Sequence, residues 1–170
     1  MQRWTVSIAP YIPYLMLLWD TLWKISHSLT QSFILFSMDN AFKFDEKTGG
    51  LCSEEDYPYE ARVGGVCNPT NCEDVPGTIV STFYDVPEGD LDAMVAAASM
   101  QPIAVAIQAD QFVFQFYKGG VLTDDSCGAR GAIDHGVLLT GYGIDPETQE
   151  PFFNVKNSWG DAWGEVSPMS

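Results

Sequence analysis

Two apolar runs flank the turn residues Asp145-Pro146-Glu147, and a pattern of this kind predicts a β-hairpin. In a hairpin centred on Pro146, position 135 lies opposite position 157, because each is eleven residues from the centre. Side chains alternate between the two faces of a strand, so His135 and Asn157 would each end an apolar face. The apolar residues on those faces are Val137, Leu139, Phe153 and Val155. The sequence therefore predicts two strands that bring a histidine and an asparagine together.

A histidine beside an amide side chain is suited to proton transfer. Histidine becomes a general base when a polar partner holds its second ring nitrogen, which fixes the tautomer and stabilises the imidazolium. Asn157 can be that partner for His135. A lone histidine at a strand start is more often structural, and an asparagine at a strand end often bonds nearby backbone. The pair alone leaves both interpretations open.

The sequence around this pair carries a specific pattern of segments. One segment reads Asp134-His135-Gly136-Val137, and another reads Val155-Lys156-Asn157-Ser158-Trp159-Gly160. The pattern extends from Met38 to Glu165, and its upstream segments are Met38-Asp39-Asn40-Ala41-Phe42, Gly49-Gly50-Leu51, Ser53-Glu54-Glu55-Asp56-Tyr57-Pro58-Tyr59, Gln101-Pro102-Ile103-Ala104-Val105 and Phe114-Gln115-Phe116-Tyr117. In this order they resemble the papain-like cysteine peptidases, and specifically the C-terminal, right-hand domain of that family.

The resemblance implies both a fold and a chemistry. The fold is α+β, with an antiparallel, β-barrel-like sheet and a few short helices. The chemistry is that of a cysteine-type endopeptidase acting on peptide or protein substrates, with His135 as general base and acid and Asn157 orienting its ring. The resemblance also implies that Trp159 shields the hydrogen bond between them from water, and that Trp163 lies beside the leaving-group side of the cleft.

Four further residues resemble positions that shape the pocket for the second residue on the acyl side of the substrate. They are Ala106, Ile133, Asp134 and Gly136. Two of them, Ala106 and Gly136, are small, which favours room for a bulky apolar side chain. Simple packing explains small residues at these positions equally well.

The nucleophile of this family has no counterpart in the chain. Papain-like enzymes carry it in a Cys-Gly-Ser/Ala-Cys-Trp/Tyr segment roughly 130 to 150 residues before the histidine. Here 134 residues precede His135, and the first cysteine is Cys52, only 83 residues before it. Cys127 is disfavoured as a substitute, because the resemblance gives it a disulfide role away from the base.

The missing thiol bears on the expected activity, because the imidazole works by drawing a proton from that group. We therefore expect the left-hand, catalytic-cysteine domain to be missing and this chain to be inactive alone. The alternative is a non-catalytic papain-like homologue or a peptide-binding fragment.

Four cysteines permit three pairings, and their presence suggests oxidation. The resemblance implies that Cys67 and Cys127 have their family partners outside this chain. Cys67 and Cys72 could close a local loop, which leaves Cys52 without an assigned partner. A zinc site of Cys67, Cys72 and His135 has poor spacing. We expect neither a metal nor another cofactor.

Charge and composition divide the chain. Residues 1–37 carry Arg3, Lys24 and Asp20, a net charge of +1. Residues 38–170 therefore carry a net charge of −16, which gives −15 for the whole chain. Such an acidic surface disfavours nucleic acid and anionic lipid as partners. It is compatible with a lysosomal, vacuolar or extracellular protein, the locations that the family resemblance implies.

The resemblance suggests three parts: a non-family segment at 1–37, a partial peptidase domain at 38–165 and a truncated tail at 166–170. The apolar stretch after Arg3 is either signal-like or a gene-model artefact that replaces the family's catalytic helix. Pro10 and Pro13 interrupt it, and it is shorter than the roughly 20 residues of a membrane span, so the pattern disfavours a membrane anchor.

Periodicity predicts four elements before the hairpin. A helix should begin at Ser37 or Asp39, run through Lys47 and end at Gly49-Gly50. A second helix is predicted over Glu88 to Met100, where Leu91, Met94, Val95 and Ala98 recur at helical spacing. Strands are predicted over Thr78 to Val86 and over Ile103 to Ile107, the latter buried on both faces.

Overall fold

Five strands and three helices form the regular structure of the described residues. The computed structural model describes residues 38–58, 72–123 and 133–165, together with the backbone of residues 5–8. The helices are α1 (Met38–Thr48), α2 (Leu91–Ala98) and α3 (Phe112–Gln115). The strands are β1 (Thr5–Ile8), β2 (Tyr84–Asp85), β3 (Ile103–Ile107), β4 (His135–Ile144) and β5 (Pro151–Lys156).

The strands form one sheet in the order β2-β1-β3-β4-β5. The pairs β1–β3, β3–β4 and β4–β5 are all antiparallel. Ile107 pairs with His135 at one end of the β3–β4 ladder, and Ile103 pairs with Leu139 towards the other. An antiparallel sheet with a few short helices confirms the predicted α+β class.

The β1 strand is a feature that the sequence pattern did not reveal. Thr5 pairs with Ala106 and Ser7 with Ala104, so four residues of the segment assigned to no family complete an edge of β3. A run of four residues is too short to show a period by itself. Its strand conformation depends on the backbone groups that β3 presents to it.

The core of the sheet lies between β3, β4 and α2. Ile103, Val105, Val137 and Leu139 are almost fully buried, and Met94 of α2 packs against them. Ala104 is buried as well, so β3 is covered on both faces as the uninterrupted apolar run predicts. Phe153 and Val155 of β5 pack against the same cluster, which confirms the apolar face predicted for that strand.

The hairpin has a different register from the one expected. Leu138 pairs with Lys156 and Ile144 with Pro151, and a shift interrupts the ladder between Leu139 and Gly141. A hairpin centred on Pro146 would have paired position 138 with position 154, so the register is shifted by two residues at this point, within the slip of one or two residues that the sequence pattern leaves open. The reason is the turn: the Asp145 carboxylate accepts hydrogen bonds from the backbone of residues 147 and 148, which moves the centre past the proline.

The predicted helices are confirmed, with both boundaries of the second corrected, since it ends at Ala98 rather than Met100. α1 ends at Thr48, and Gly49 follows with a φ of +87°, a conformation that glycine adopts readily at a helix end. α2 begins at Leu91 rather than Glu88, because the Asp90 side chain caps it by accepting a hydrogen bond from the Ala93 N–H at 2.9 Å.

The strand predicted over Thr78 to Val86 is wrong for most of its length, because only Tyr84–Asp85 is β-structure. The backbone donors before it are engaged elsewhere. The Thr78 N–H donates to the Val75 carbonyl, and the Val80 N–H donates to the Asp45 carboxylate at 2.5 Å. A β-branched composition favours a strand only where a neighbouring strand accepts its hydrogen bonds.

The described residues fall into two compact units. One contains β1 and everything from Asp85 onwards, and the other contains residues 38–58 and 72–84. In the second unit Phe42, Val80, Thr78 and Asp45 are nearly inaccessible to solvent. In that unit a small core surrounds a buried carboxyl group.

The disulfide joins Cys52 to Cys72, across a sequence separation of 20 residues. The suggested Cys67–Cys72 loop is therefore wrong. Cys52 and Asp74 form a β-bridge, and the Val75 N–H donates to the Leu51 carbonyl, so the two chain segments already lie side by side at this point. Cys67 and Cys127 lie outside the described residues, as do residues 166–170 and all of 1–37 except β1.

We expect the buried carboxyl of Asp45 to make the stability of the protein depend on pH. Burial raises the pKa of Asp45 above its ordinary value of 3.8; the Val80 N–H opposes this shift, and the charges of Asp74 and Glu46 add to it. Within the described residues its Oδ1 atom has no hydrogen-bond partner. Since folding favours the protonated form, this stabilisation is present below the ordinary pKa and is lost as pH rises through the folded-state pKa.

The variant D45N should therefore be more stable than the wild type at pH 7, by about 1 to 3 kcal/mol. The amide has the same shape and keeps an acceptor for the Val80 N–H, but it carries no charge. Urea unfolding from pH 4 to pH 7 measures the difference, which should shrink towards pH 4. The control D161N changes an exposed aspartate and should leave the profile unchanged. A D45N variant that is less stable than the wild type at pH 7 would contradict this account.

Removing the disulfide should destabilise the chain by about 3 kcal/mol, because it closes a loop of this length in the unfolded state. Urea unfolding of the double variant C52S/C72S tests this. The variant C127S is the control for the effect of replacing a cysteine by serine. Peptide mapping without reduction identifies the pairing directly. A fragment that links Cys67 to Cys72 would refute the pairing described above.

Candidate active site

The ends of two neighbouring strands bring His135 and Asn157 together. His135 is the first residue of β4, and Asn157 directly follows β5. Despite the shifted register, the imidazole Nε2 atom lies 2.8 Å from the Asn157 Oδ1 atom, a hydrogen-bond distance. Both side chains are partly buried. The two side chains therefore meet, as the hairpin pattern predicts.

A backbone donor determines which way the Asn157 amide faces. The Ser158 N–H lies 2.8 Å from Asn157 Oδ1, and a backbone N–H can only donate. The atom that accepts it must be the amide oxygen, so the same oxygen accepts from His135 Nε2 as well. The proton of the neutral imidazole then resides on Nε2, and Nδ1 is its basic nitrogen.

This amide orientation has a cost at the other end of the side chain. Among the described residues, the buried Nδ2 atom of Asn157 has no hydrogen-bond partner. Reversing the amide would set its NH2 group against the Ser158 N–H, two donors facing each other, and would lose that hydrogen bond. The free energy gained from the two hydrogen bonds that the oxygen accepts exceeds the cost of one unpartnered donor, so this amide orientation is the stable one.

Trp159 covers the imidazole on one side. Its ring centroid lies 5.1 Å from that of His135, at an interplanar angle of 31°. The indole is itself 39% exposed, and its shielding of the His135–Asn157 hydrogen bond from water is a prediction. A hydrogen bond is stronger where competing water is excluded. The structure thus places the indole beside the imidazole, and the shielding role stays a prediction.

Trp163 supports Trp159 from behind. The two indoles meet edge to face with centroids 5.4 Å apart, and Phe114 contacts both rings at 5.5 and 5.0 Å. The Trp163 Nε1–H donates to the Phe114 carbonyl at 2.9 Å. Trp163 thus contacts Trp159, and Trp159 contacts the imidazole.

Asp134 holds the start of β4 onto the end of β3. Its N–H donates to the Ile107 carbonyl at 3.1 Å, and its carboxylate accepts from the Ala109 N–H at 2.6 Å. These bonds continue the ladder by one residue beyond the Ile107–His135 pair, so they help to set the position of the imidazole.

The other pocket candidates lie around the same strand end. Ala106 of β3 pairs with Gly136 of β4, so the two small residues are neighbours across the ladder. Ile133 precedes β4 and is half-buried. The structure thus gathers all four candidates near His135, while their contact with a substrate remains a prediction.

Some contributors to this site escaped the sequence analysis. The sequence gives Phe114 only as the first residue of a family segment, although its ring contacts both tryptophans. The anchoring bonds of Asp134 were also missed, since its resemblance pointed only to a pocket position. Neither role has a local sequence signal, because each depends on a partner elsewhere in the chain.

The zinc alternative is wrong, because Cys72 is bonded to Cys52 and has no thiolate to offer. Across residues 38–58, 72–123 and 133–165 no group of three or more histidine, cysteine or acidic side chains has the geometry to hold a metal ion. In the same part of the chain, no helix is both long and apolar enough to span a membrane.

Comparison with known proteins shows which proteins this chain is similar to. The chain is 42% identical over 132 residues to cathepsin L1 of Drosophila melanogaster and 43% identical over 128 residues to vignain of Ricinus communis. Each alignment covers 75% of this chain but only 33% and 34% of the relative. The chain therefore spans about a third of the length of these curated relatives.

Solved structures show the same similarity. The bromelain protease of Ananas comosus superposes with a TM-score of 0.66 at 29% identity, covering 83% of this chain and 63% of bromelain. The proform of the ragweed pollen cysteine protease Amb a 11 superposes with a TM-score of 0.65 at 37% identity, covering 75% of this chain and 37% of that protein.

A family-wide comparison agrees with these individual ones. The model of the papain family of cysteine proteases matches residues 37–167, which is most of the chain. That range contains β2 to β5, all three helices and the His135–Asn157 pair. The chain belongs to the papain family of cysteine proteases.

Proposed function

We propose that this chain forms the right-hand part of a cysteine endopeptidase, with His135 as its proton-transfer group and Asn157 as the residue that orients it. The observation that carries the proposal is the 2.8 Å contact between Nε2 and Oδ1, with the amide oxygen identified by the Ser158 N–H. This arrangement protonates Nε2 and makes Nδ1 the basic nitrogen, as proton transfer from a thiol requires.

In the proposed reaction Nδ1 takes the proton of a cysteine thiol, and the thiolate attacks the carbonyl carbon of a peptide bond. The imidazolium then returns the proton to the departing amine, and water hydrolyses the resulting thioester. Asn157 Oδ1 stabilises the imidazolium, since the hydrogen bond that it accepts from Nε2 strengthens when the ring is charged. Trp159 keeps that hydrogen bond dry on one side.

The cysteine segment that carries the nucleophile in this family has no counterpart in the sequence. No cysteine precedes Cys52, and Cys52 is bonded to Cys72. We therefore propose that the chain alone is inactive and that the nucleophile belongs to the left-hand domain of the family. The second candidate, a papain-like homologue that binds peptides without cleaving them, is favoured by this same absence.

The substrate in either case is a peptide or a protein. Support comes from the bromelain structure, which holds a bound inhibitor, and from the strand end that gathers Ala106, Ile133, Asp134 and Gly136 beside His135. We propose that these four residues line the pocket for the second acyl-side residue. The small pair Ala106 and Gly136 leaves room there for an apolar side chain.

We place the protein in a lysosome, a vacuole or the extracellular space. The disulfide between Cys52 and Cys72 supports this, because structural disulfides persist in oxidising compartments. The acidic composition, with a net charge of −15, is compatible with the same locations and disfavours nucleic acid as a partner.

A fusion experiment tests the catalytic role. Residues 38–170 are joined behind a papain-family left-hand segment that contains the nucleophilic cysteine, and cleavage of a fluorogenic peptide is measured. His135→Ala should remove most of the roughly 10²- to 10⁴-fold contribution of general acid–base catalysis to kcat. Asn157→Ala should remove part of it and leave KM nearly unchanged, since the amide contacts the imidazole rather than the substrate.

Labelling with a thiol-directed peptide electrophile gives a second readout. The chain alone should form no adduct, whereas the fusion should form one that depends on His135. The matched control Asn154→Ala alters an exposed asparagine of β5 and should retain full cleavage. Cleavage that survives His135→Ala would overturn the proposal, and a fusion that binds peptide without cleavage or adduct would favour the binding alternative.

A further inference from the structure

Two exposed side chains fasten the segment that carries both site tryptophans. This segment, the tryptophan loop (residues 159–165), follows Asn157 and has no helix or strand of its own. It lies against the aromatic turn (residues 114–120), which begins with the last two residues of α3 and continues beyond it. Lys118 of the aromatic turn donates from Nζ to the Ala162 carbonyl at 2.7 Å. In return, Glu165 of the tryptophan loop accepts through Oε1 from the Gly120 N–H at 2.6 Å.

These two contacts form a reciprocal pair. In each, a charged side chain of one segment binds the backbone of the other, and a charged partner makes such a hydrogen bond about twice as strong as a neutral one. They bracket the Trp163 anchor, where Gly164 N–H donates to the Tyr117 carbonyl at 3.1 Å and Trp163 Nε1–H donates to the Phe114 carbonyl. The loop is thus tied at successive points on both sides of Trp163.

We propose that Lys118 and Glu165 are positioning residues, which hold Trp159 over the His135–Asn157 hydrogen bond by clamping the tryptophan loop to the aromatic turn. The inference rests on the proposed role of His135 and Asn157 and extends it to residues that touch neither. The route is a chain of contacts. The clamp fixes Trp163, Trp163 supports Trp159 edge to face at 5.4 Å, and Trp159 lies 5.1 Å from the imidazole.

Close packing around Glu165 supports a fixed rather than a loose carboxylate. A Cβ atom at Gly119 would lie 3.4 Å from Glu165 Cγ and Oε1, so the glutamate lies directly on that glycine. Tyr117 closes the other side: its hydroxyl donates to the Gly120 carbonyl at 2.7 Å and lies 3.5 Å from Glu165 Oε1. Burial, followed by the Glu165 charge, raises the pKa of Tyr117, so its hydroxyl remains a donor at neutral pH.

Without the clamp, the tryptophan loop would depend on ring contacts, on the hydrogen bond from Trp163 Nε1–H and on the one from the Gly164 N–H. Trp159 is itself partly exposed and makes ring contacts with Phe114, Trp163 and His135. A ring held only by such contacts, each worth about 0.5 to 1.5 kcal/mol, has freedom to move away from the imidazole. Loss of the clamp should therefore change the surroundings of His135 while the sheet stays folded.

The ring protons of His135 report on this directly by NMR, in the chain as it exists. An indole close to the imidazole displaces their chemical shifts, and the shifts return towards those of an unstacked histidine when the indole moves away. The chain has two histidines, so a His27→Gln background identifies the His135 signals. The Nε2–H signal should also be lost in the clamp variants, because solvent exchange quickens when the shield moves.

We expect Glu165→Ala and Lys118→Met each to change the chemical shifts of the His135 ring protons and to remove the Nε2–H signal. The far-ultraviolet circular dichroism should be unchanged. Glu165→Gln should restore the wild-type signals, since the amide oxygen can still accept from the Gly120 N–H. Charge-matched controls are Glu147→Ala in the hairpin turn and Lys47→Met in α1, both exposed, and they should leave the His135 signals in place.

Wild-type signals in both clamp variants would overturn the proposal. So would an equal shift in the control variants, since it would assign the effect to net charge. If Glu165→Ala unfolds the chain, the measurement on Lys118→Met decides. The readout needs neither a nucleophile nor a peptide, so it is independent of whether the fusion enzyme cleaves its substrate.

Discussion

The β4 strand is the constraint on which the rest of the structure depends. It is hydrogen-bonded on both edges, to β3 and to β5, and its buried residues Val137 and Leu139 lie in the main core cluster. His135 stands at its first position, where the ladder to β3 is extended by the backbone and side chain of Asp134. The imidazole is therefore placed by the most strongly supported strand of the sheet. This rigidity matters, because proton transfer requires its groups to be held within a fraction of an ångström.

The partner of the imidazole has a different kind of support. Asn157 comes after the last paired residue of β5, so its position depends on the first turn beyond the sheet. There a single amide oxygen accepts from both Ser158 and His135, at 2.8 Å each. Farther along, the tryptophan loop lacks a strand or a helix, and side-chain-to-backbone contacts fasten it to the aromatic turn. Residues close to β4 are thus held by the hydrogen bonds of the sheet, whereas residues farther from β4 are held by side-chain hydrogen bonds.

Family membership and activity are separate questions for this chain. Its fold, its site geometry and its similarity to cathepsin L1 and vignain all agree on the papain family, yet the chain spans about a third of those relatives. A base that is oriented for chemistry has no described thiol to act upon, since Cys52 and Cys72 are joined. In the function proposed above, the chain supplies the proton-transfer group and the residue that orients it, and the thiol comes from the other domain of the family.

Features that depend on neighbours along the chain can be predicted from the amino-acid order alone. The stop of α1 at Gly49, the buried strand at Ile103–Ile107 and the identity of the His135 and Asn157 pair all follow from local pattern and from a specific family signature. Only the tertiary structure decided the hairpin register, the pairing of β1 with β3, the Cys52–Cys72 bond and the clamp at Lys118 and Glu165. The physical reason is that a backbone donor or a thiol has many chemically equivalent partners within one sequence. Folding selects among them by distance in space, which no local pattern encodes.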